Sequence, residues 1–89
     1  MRPEVDKIYK HFKGNYYIVL EIAKETETGE EYVIYRRFSE DEETVWARPM
    51  SSWMASVVTA DGEKPRFVEV DPVKEFGIVE EKNKSENAD

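Results

Sequence analysis

The feature that most constrains the fold is a pair of apolar runs separated by a short loop that contains glycine. The first run, Y-Y-I-V-L-E-I-A-K-E-T (residues 16–26), is rich in aromatic and β-branched side chains, and the second, Y-V-I-Y-R-R-F, covers residues 32–38. In T-E-T-G-E between them, Gly29 supplies a position where a positive φ costs little, so the sequence predicts a β-hairpin. The centre of the first run is apolar on both faces, which is typical of a strand that curls.

Further short elements are predicted after this hairpin. T-V-W-A-R-P (44–49) indicates a short strand ended by proline, and M-S-S-W-M (50–54) a single helical turn that crosses a barrel. S-V-V-T-A-D-G-E-K-P-R-F-V-E-V (56–70) indicates a strand, a turn and a strand. Its Asp61-Gly62 dipeptide favours a type I′ turn, in which both central residues have positive φ.

The segment after the last strand predicts one short helix and then a polar tail. Asp71 and Pro72 suit the N-cap and the first helical position, and Gly77 suits the end of the helix. Such a turn would place Phe76 or Ile78 on the barrel. Beyond Glu80 the chain has only one alanine to bury, which predicts disorder.

These elements predict an all-β fold, a small closed barrel of about five short strands with one short helical turn. Short strands at regular spacing, without a long amphipathic helix, favour a barrel or a sandwich, and a barrel leaves no exposed sheet edge. A chain of 89 residues is one domain at most. We place the barrel domain at residues 7–71 and the polar C-terminal tail at residues 72–89.

Composition argues against several classes of site. There is no cysteine and only one histidine, so a disulfide framework and a thiolate metal site are excluded, and we expect no metal and no cofactor. No stretch reaches the roughly 20 apolar residues that span a bilayer, and the first residues lack the apolar segment of a secretory signal. We therefore expect a cytoplasmic protein with no membrane partner.

The net charge of −7 is unevenly distributed. Residues 1–20 carry four basic and two acidic side chains, whereas residues 21–71 carry six basic and thirteen acidic ones. S-E-D-E-E (39–43) indicates a solvated loop. An acidic chain is a poor non-specific ligand for phosphate backbones, yet a local basic patch can still bind. An alternative hypothesis is thus a nucleic-acid accessory domain that uses the basic N-terminal segment (Lys7, Lys10, Lys13) and exposed tyrosines.

An arginine and aromatic pocket is the leading hypothesis for a site. Strand alternation places Trp46 and Arg48 on one face, and Tyr35 on the face opposite Arg36. A guanidinium in a pocket recognises carboxylate or phosphate, and it also stacks on aromatic rings. In the other interpretation, an arginine caps the end of the barrel and Trp46 fills the core. The candidate pocket residues are Tyr35, Arg36, Trp46, Arg48 and Trp53, with His11 and Lys13 at the rim.

His11 also raises the hypothesis of an enzyme with a histidine base. No serine lies near it in the sequence, and spacing does not identify a carboxylate that would orient the ring. A histidine that is hydrogen-bonded on a strand face explains the same residue. The carboxylates of Glu21, Glu69 and Asp71 favour salt bridges or edge protection over acid–base work. We do not expect catalysis.

The aromatic content favours an interaction surface. Eleven phenylalanine, tyrosine and tryptophan residues exceed what a barrel of this size can bury, and the remainder would form an exposed aromatic surface. Small barrels of this kind take extended peptides in aromatic grooves. Partly exposed tyrosines, which are common, are the alternative. The sequence therefore predicts a small binding or protein-interaction module, with a peptide or protein ahead of nucleic acid as its partner.

Five strings also occur together in order: Y-K-H-F-K-G-N-Y-Y (9–17), T-E-T-G-E (26–30), V-I-Y-R (33–36), W-A-R-P (46–49) and P-R-F (65–67). Over residues 9–70 the chain resembles a small bacterial family, the domain of unknown function numbered sixteen fifty-three. The resemblance implies an SH3-like β-barrel and a bacterial origin, and it brings no activity, substrate or cofactor. The acidic loop and the polar tail depart from the family pattern, but neither departure affects the barrel strands.

Overall fold

Seven strands and two short helices make up the described part of the chain. The computed structural model of the protein describes residues 2–39 and 43–77. In chain order the elements are β1 (Ile8–His11), β2 (Tyr16–Lys24), β3 (Glu31–Arg37), β4 (Val45–Pro49), α1 (Met50–Trp53), β5 (Ser56–Thr59), β6 (Gly62–Pro65), β7 (Phe67–Val70) and α2 (Pro72–Phe76). The predicted β class, including the single helical turn after β4, is confirmed.

Two antiparallel sheets contain these strands. Five strands pair in the order β4-β3-β2-β1-β7, and β5 pairs with β6 in a separate two-stranded sheet. The predicted hairpin is the β2–β3 pair, with an irregularity of register between Val19 and Glu21. This β-bulge reverses the alternation, so that Ile22 lies on the same side as Val19 and packs against the core. The bulge explains how both an odd and an even position of the run, Val19 and Ile22, reach the same core.

The five-stranded sheet is strongly curled. Strands β3 and β7 are separated by two other strands and would lie roughly 14 Å apart in a flat sheet. Instead, the rings of Tyr35 on β3 and Phe67 on β7 have centroids 6.1 Å apart. In the described residues the edge strands β4 and β7 do not pair with each other, so the backbone does not close the barrel that the sequence predicted.

The core lies on the concave face of the sheet. Trp53 of α1 is 3% exposed and stacks on Phe67, with centroids 3.7 Å apart and planes 5° apart. Tyr9 and Tyr35 meet the same indole edge to face, at 5.4 and 5.1 Å. Helix α1 begins directly after Pro49, and its first and last residues, Met50 and Trp53, are the two that it buries. One helical turn therefore covers the concave face with two large side chains.

The β5–β6 turn differs from the predicted type I′ turn. Thr59 pairs with Gly62, so Ala60 and Asp61 form the loop. Gly62 has a φ of 111°, but Asp61 is not among the described residues with positive φ. The Thr59 hydroxyl accepts a hydrogen bond from the Asp61 amide at 3.2 Å. This side-chain bond stabilises the loop without a left-handed residue before the glycine.

Strand β7 is also a separate element. The sequence predicted one strand after the turn, but Arg66 bends the chain, and the residues that follow pair with β1 instead of β6. The Arg66 amide donates to the Ala55 carbonyl at 3.0 Å, and the Arg66 carbonyl accepts from the Phe12 amide at 2.9 Å. This single residue therefore links the small sheet to the large one.

Helix α2 packs on the convex face. Asp71 caps it by accepting from the Val73 amide, and Gly77 ends it with a φ of 71°, as the sequence predicted. The Phe76 ring lies 4.8 Å from that of Tyr16 and 5.7 Å from that of Phe38. Ile78, the tail beyond Glu80 and most of the acidic loop (residues 40–42) lie outside the described residues. Within residues 2–39 and 43–77, no helix is both long and apolar enough to cross a bilayer.

Candidate functional site

Polar and aromatic side chains share the concave face of the sheet with the core. Tyr35 lies opposite Trp46, and Tyr17 lies opposite Arg37. Directly opposed residues of antiparallel strands project from the same face, and so do residues two positions apart on one strand. Arg48 therefore joins Trp46 on this face.

Two adjoining depressions open on this face, which together we call the groove. The first, of about 340 Å³, is lined by Tyr17, Tyr35, Arg37, Trp46 and Arg48. The second, of about 300 Å³, is lined by His11, Phe12, Lys13, Asn15, Tyr17, Tyr35, Arg48, Arg66 and Phe67. The two share Tyr17, Tyr35 and Arg48, so they form one continuous concavity.

The groove is cationic in a protein whose net charge is −7. It contains Lys13, Arg37, Arg48 and Arg66, and no aspartate or glutamate of the described chain lines it. Within that same part of the chain the side-chain ion pairs join Arg2 to Glu31 and Lys64 to Asp61, both outside the groove. None of the four groove cations therefore forms an ion pair with a described residue.

Arg48 lies at the centre of the groove and is fixed by its neighbours. Its Nε donates to the Tyr35 hydroxyl at 3.1 Å, and its Nη1 donates to Ser52 Oγ at 3.0 Å. The guanidinium carbon lies 5.5 Å from the Phe67 ring centroid, within the range of a cation–π contact. These contacts occupy part of the donor fork and hold its plane, which prepares the remaining N–H groups for an anion.

Helix α1 also positions a second arginine. Arg66 Nε donates to the Ser52 carbonyl at 2.9 Å, while the hydroxyl of that serine accepts from Arg48. Ser52 thus contacts both guanidinium groups from one helical turn. These two hydrogen bonds give Ser52 a structural role in α1, between the buried residues Met50 and Trp53.

His11 lies at the rim of the groove as a neutral ring. Its Nδ1 accepts from the Lys13 amide at 3.2 Å, which leaves the proton of the neutral ring on Nε2. Partial burial lowers the pKa of His11, and the charges of Arg48, Arg66 and Lys13 lower it further. Cations surround this histidine in place of the carboxylate that a triad would use, so the geometry favours a hydrogen-bond donor over a general base.

The two tryptophans have different roles. Trp46 is 51% exposed and lines the groove, whereas Trp53 is 3% exposed and lies beneath it in the core. The alternative in which Trp46 fills the core does not fit this exposure. Trp53 lines a different depression, of about 320 Å³, together with Tyr9, Met54 and other residues outside the groove.

Of the remaining candidates from the sequence, Tyr35 and Lys13 lie in the groove and Arg36 does not. Arg36 alternates with Tyr35 and Arg37, lies opposite Ile18 and Val45, and donates to the Arg37 carbonyl at 3.2 Å. It therefore belongs to the convex face. Its neighbour Arg37 lines the groove, where the sequence had predicted Arg36.

The basic segment proposed for nucleic acid does not form one strip. Lys10 lies over the Tyr16 ring on the convex face, at 5.6 Å from its centroid, whereas Lys13 lies in the groove. Lys7 lines a depression of about 630 Å³ together with Asp6, Glu69 and Asp71. Mixed charge and the lack of an aromatic ring make that larger depression a weaker candidate for anion binding.

Sequence reasoning missed the groove residues Arg37, Arg66, Tyr17, Phe12, Asn15 and Phe67. The signal for Arg37 was present, since it is two residues from Tyr35 on one strand. No neighbouring residue indicated a groove position for Arg66, because it reaches the groove through the bend between β6 and β7. Predicting the face on which Tyr17 lies required knowing that the bulge in β2 comes after this residue.

The fold and this groove define a class of small antiparallel β domain with a cationic aromatic concavity. The chain belongs to the family described as "Protein of unknown function (DUF1653)", whose model matches residues 7–69. It is similar to the crystal structure of a protein of that family from Bordetella bronchiseptica, with 32% sequence identity and a TM-score of 0.65. The similarity covers 75% of this chain and 87% of the other. No curated protein matches the chain.

Proposed function

We propose that the protein is a small binding module that recognises an anionic group in the groove on its concave face. The observation that carries this proposal is the composition of the groove, where Lys13, Arg37, Arg48 and Arg66 meet without a described carboxylate. Within residues 2–39 and 43–77 these four cations form no ion pair, and they share one concavity in a protein whose net charge is negative. Electrostatics of this kind concentrates anions locally.

The chemistry of these residues suits carboxylate or phosphate. Hydrogen bonds from arginine to an anionic oxygen are short and about twice as strong as neutral ones. The aromatic walls reduce the local dielectric constant, which strengthens each of these bonds. His11 adds a neutral donor at the rim, and Trp46 offers an exposed ring beside the charged centre. A ligand with both an anion and a flat or apolar part fits this combination.

A titration with inorganic phosphate at constant ionic strength tests the proposal. Backbone amide signals in ¹H–¹⁵N spectra should shift for groove residues and stay unchanged for α2 and the convex face. Arg37→Ala should weaken the phosphate affinity several-fold. Arg36→Ala is the matched control, because the two arginines are adjacent in β3 and lie on opposite faces. Equal losses in the two variants, or shifts spread over the whole surface, would contradict the proposal.

We infer further that the curled sheet is an SH3-like barrel whose wall is incomplete between β4 and β7. Support comes from the number of short strands, from the helical turn after β4 and from the contact of Tyr35 with Phe67 across the concave face. Binding between loops and strands of such a barrel is compatible with a peptide or protein partner. Inter-strand amide contacts measured by NMR test the strand order.

A further inference from the structure

We propose that the groove binds single-stranded nucleic acid a few nucleotides long, with bases against its exposed rings and phosphates against its arginines. This inference rests on the proposed anion-binding function and adds the class of ligand. The supporting feature is the way in which rings and cations alternate along one concavity.

The alternation is visible in the two depressions. At one end the half-exposed Trp46 lies beside Arg37. In the middle, Arg48 is common to both depressions. At the other end Phe12, which is 37% exposed, lies next to Lys13. A single strand presents the complementary order of base, phosphate and base, and proteins bind such strands by stacking bases on aromatic rings along a basic groove.

Other anionic polymers fit less well. In a duplex the bases are stacked inside the helix, so they cannot reach a recess walled by Tyr17 and Trp46. An acidic peptide has carboxylates but no flat ring beside each charge, so it would leave Trp46 and Phe12 without a partner. The remainder of the chain is strongly acidic, which opposes a long strand that extends past the groove. A ligand of a few nucleotides has accessible bases and a flat ring beside each charge, and it is too short to extend over the acidic remainder of the chain.

The groove is not the surface that the sequence predicted for nucleic acid. The sequence pointed to Lys7, Lys10 and Lys13, but only Lys13 lies in the groove. The arginines of β3 and β4 and the bend residue Arg66 replace the other two lysines as the expected phosphate contacts. Lys10→Ala should therefore leave binding unchanged, whereas Lys13→Ala should weaken it.

The test uses the full chain, a labelled five-nucleotide uridine RNA, inorganic phosphate and a triglutamate peptide as probes. Fluorescence anisotropy should show RNA binding that is at least ten-fold tighter than phosphate binding, and RNA should quench the emission of Trp46. Trp46→Ala should lower RNA affinity at least five-fold and barely change phosphate affinity, since a stacked ring is worth ~1–3 kcal/mol. Arg37→Ala should make the salt dependence less steep by about one phosphate contact, and Arg36→Ala should not.

The outcomes separate the two proposals. If phosphate shifts the groove signals but RNA binds no more tightly than phosphate or triglutamate, the nucleic-acid inference is wrong and the anion-binding proposal stands. An unchanged RNA affinity in Trp46→Ala would also overturn the inference. If no probe binds the groove, both proposals fail.

Discussion

The guanidinium of Arg48 lies over the ring of Phe67, with 5.5 Å between the Arg48 Cζ and the ring centroid. These residues belong to β4 and β7, the two edge strands of a five-stranded sheet. The contact joins strands that share no described backbone pairing, and it lies at the centre of the groove. Side chains thus connect the two edges of the sheet at the proposed binding site.

The buried stack of α1 should dominate the stability of the domain. Trp53→Ala removes the ring that stacks on Phe67 and is expected to cost about 3–5 kcal/mol of unfolding free energy. Small domains have only about 5–15 kcal/mol in total, so most of this variant's stability would be lost. Urea denaturation measures the difference. Trp46→Ala is the matched control, with an expected loss below about 1 kcal/mol because Trp46 is half exposed.

The bond between Arg48 and Tyr35 should be detectable as an energetic coupling. Tyr35→Phe removes the acceptor of the Arg48 Nε, and Arg48→Met removes the donor while it keeps a long apolar stem. In a double-mutant cycle of unfolding free energies, we expect a coupling of about 1 kcal/mol. Strictly additive single effects would show that the hydroxyl and the guanidinium do not stabilise each other in solution.

His11 should make the protein less stable below neutral pH. Its pKa lies below the ordinary value of 6.5 because of partial burial and the nearby charges of Arg48, Arg66 and Lys13. Well above pH 6.5 the ring is neutral in both states. As the pH falls through 6.5, the unfolded chain takes up a proton first, so the free energy of unfolding decreases until the folded ring also titrates. His11→Gln should flatten this pH dependence.

The same histidine reports directly on ligand binding. An anion in the groove would offset the surrounding positive charge and raise the pKa of His11. Because the chain has one histidine, its ring signals give the titration without ambiguity. We expect the NMR-derived pKa to increase on addition of phosphate and to remain constant with an equal concentration of chloride. An unchanged pKa would place the anion elsewhere.

The cap of α2 should act locally. Asp71→Ala removes the carboxylate that accepts from the Val73 amide, and loss of an N-cap costs about 1 kcal/mol. The result should be faster amide exchange in α2 and weaker packing of Phe76 on the convex face, with little change in the five-stranded sheet. Lys74→Ala, which keeps the cap, is the comparison. Similar exchange in the two variants would indicate that the contacts with the convex face, the Phe76 ring and the hydrogen bond from the Tyr16 hydroxyl to Glu75, hold the helix without the cap.

Local patterns were sufficient to predict elements that depend on neighbouring residues. Two apolar runs around a glycine predicted the β2–β3 hairpin, and a proline predicted the end of β4. Asp71 and Gly77 predicted the two ends of α2. Each of these features depends on backbone preferences within a few positions. Predictions of this kind needed no knowledge of tertiary contacts.

The groove required information that the sequence does not carry locally. Alternation separated Arg36 from Tyr35 correctly, but the sequence could not show which of the two faces would be concave. Arg66 reaches the groove only because β7 leaves β6 to pair with β1. Long-range strand order therefore decides on which face Arg36 lies and whether Arg66 reaches the groove, and a single sequence gives little access to that order.

The bulge between Val19 and Glu21 has a consequence for engineering. Leu20 lies between these two paired residues and has no partner of its own on β3. Deleting Leu20 would leave Val19 and Ile22 opposite the β3 residues that they pair with now, so the ladder would become regular and both side chains would keep their side of the sheet. The strand could thus be shortened by one residue without emptying the core, and the groove wall contributed by Tyr17 would keep its shape.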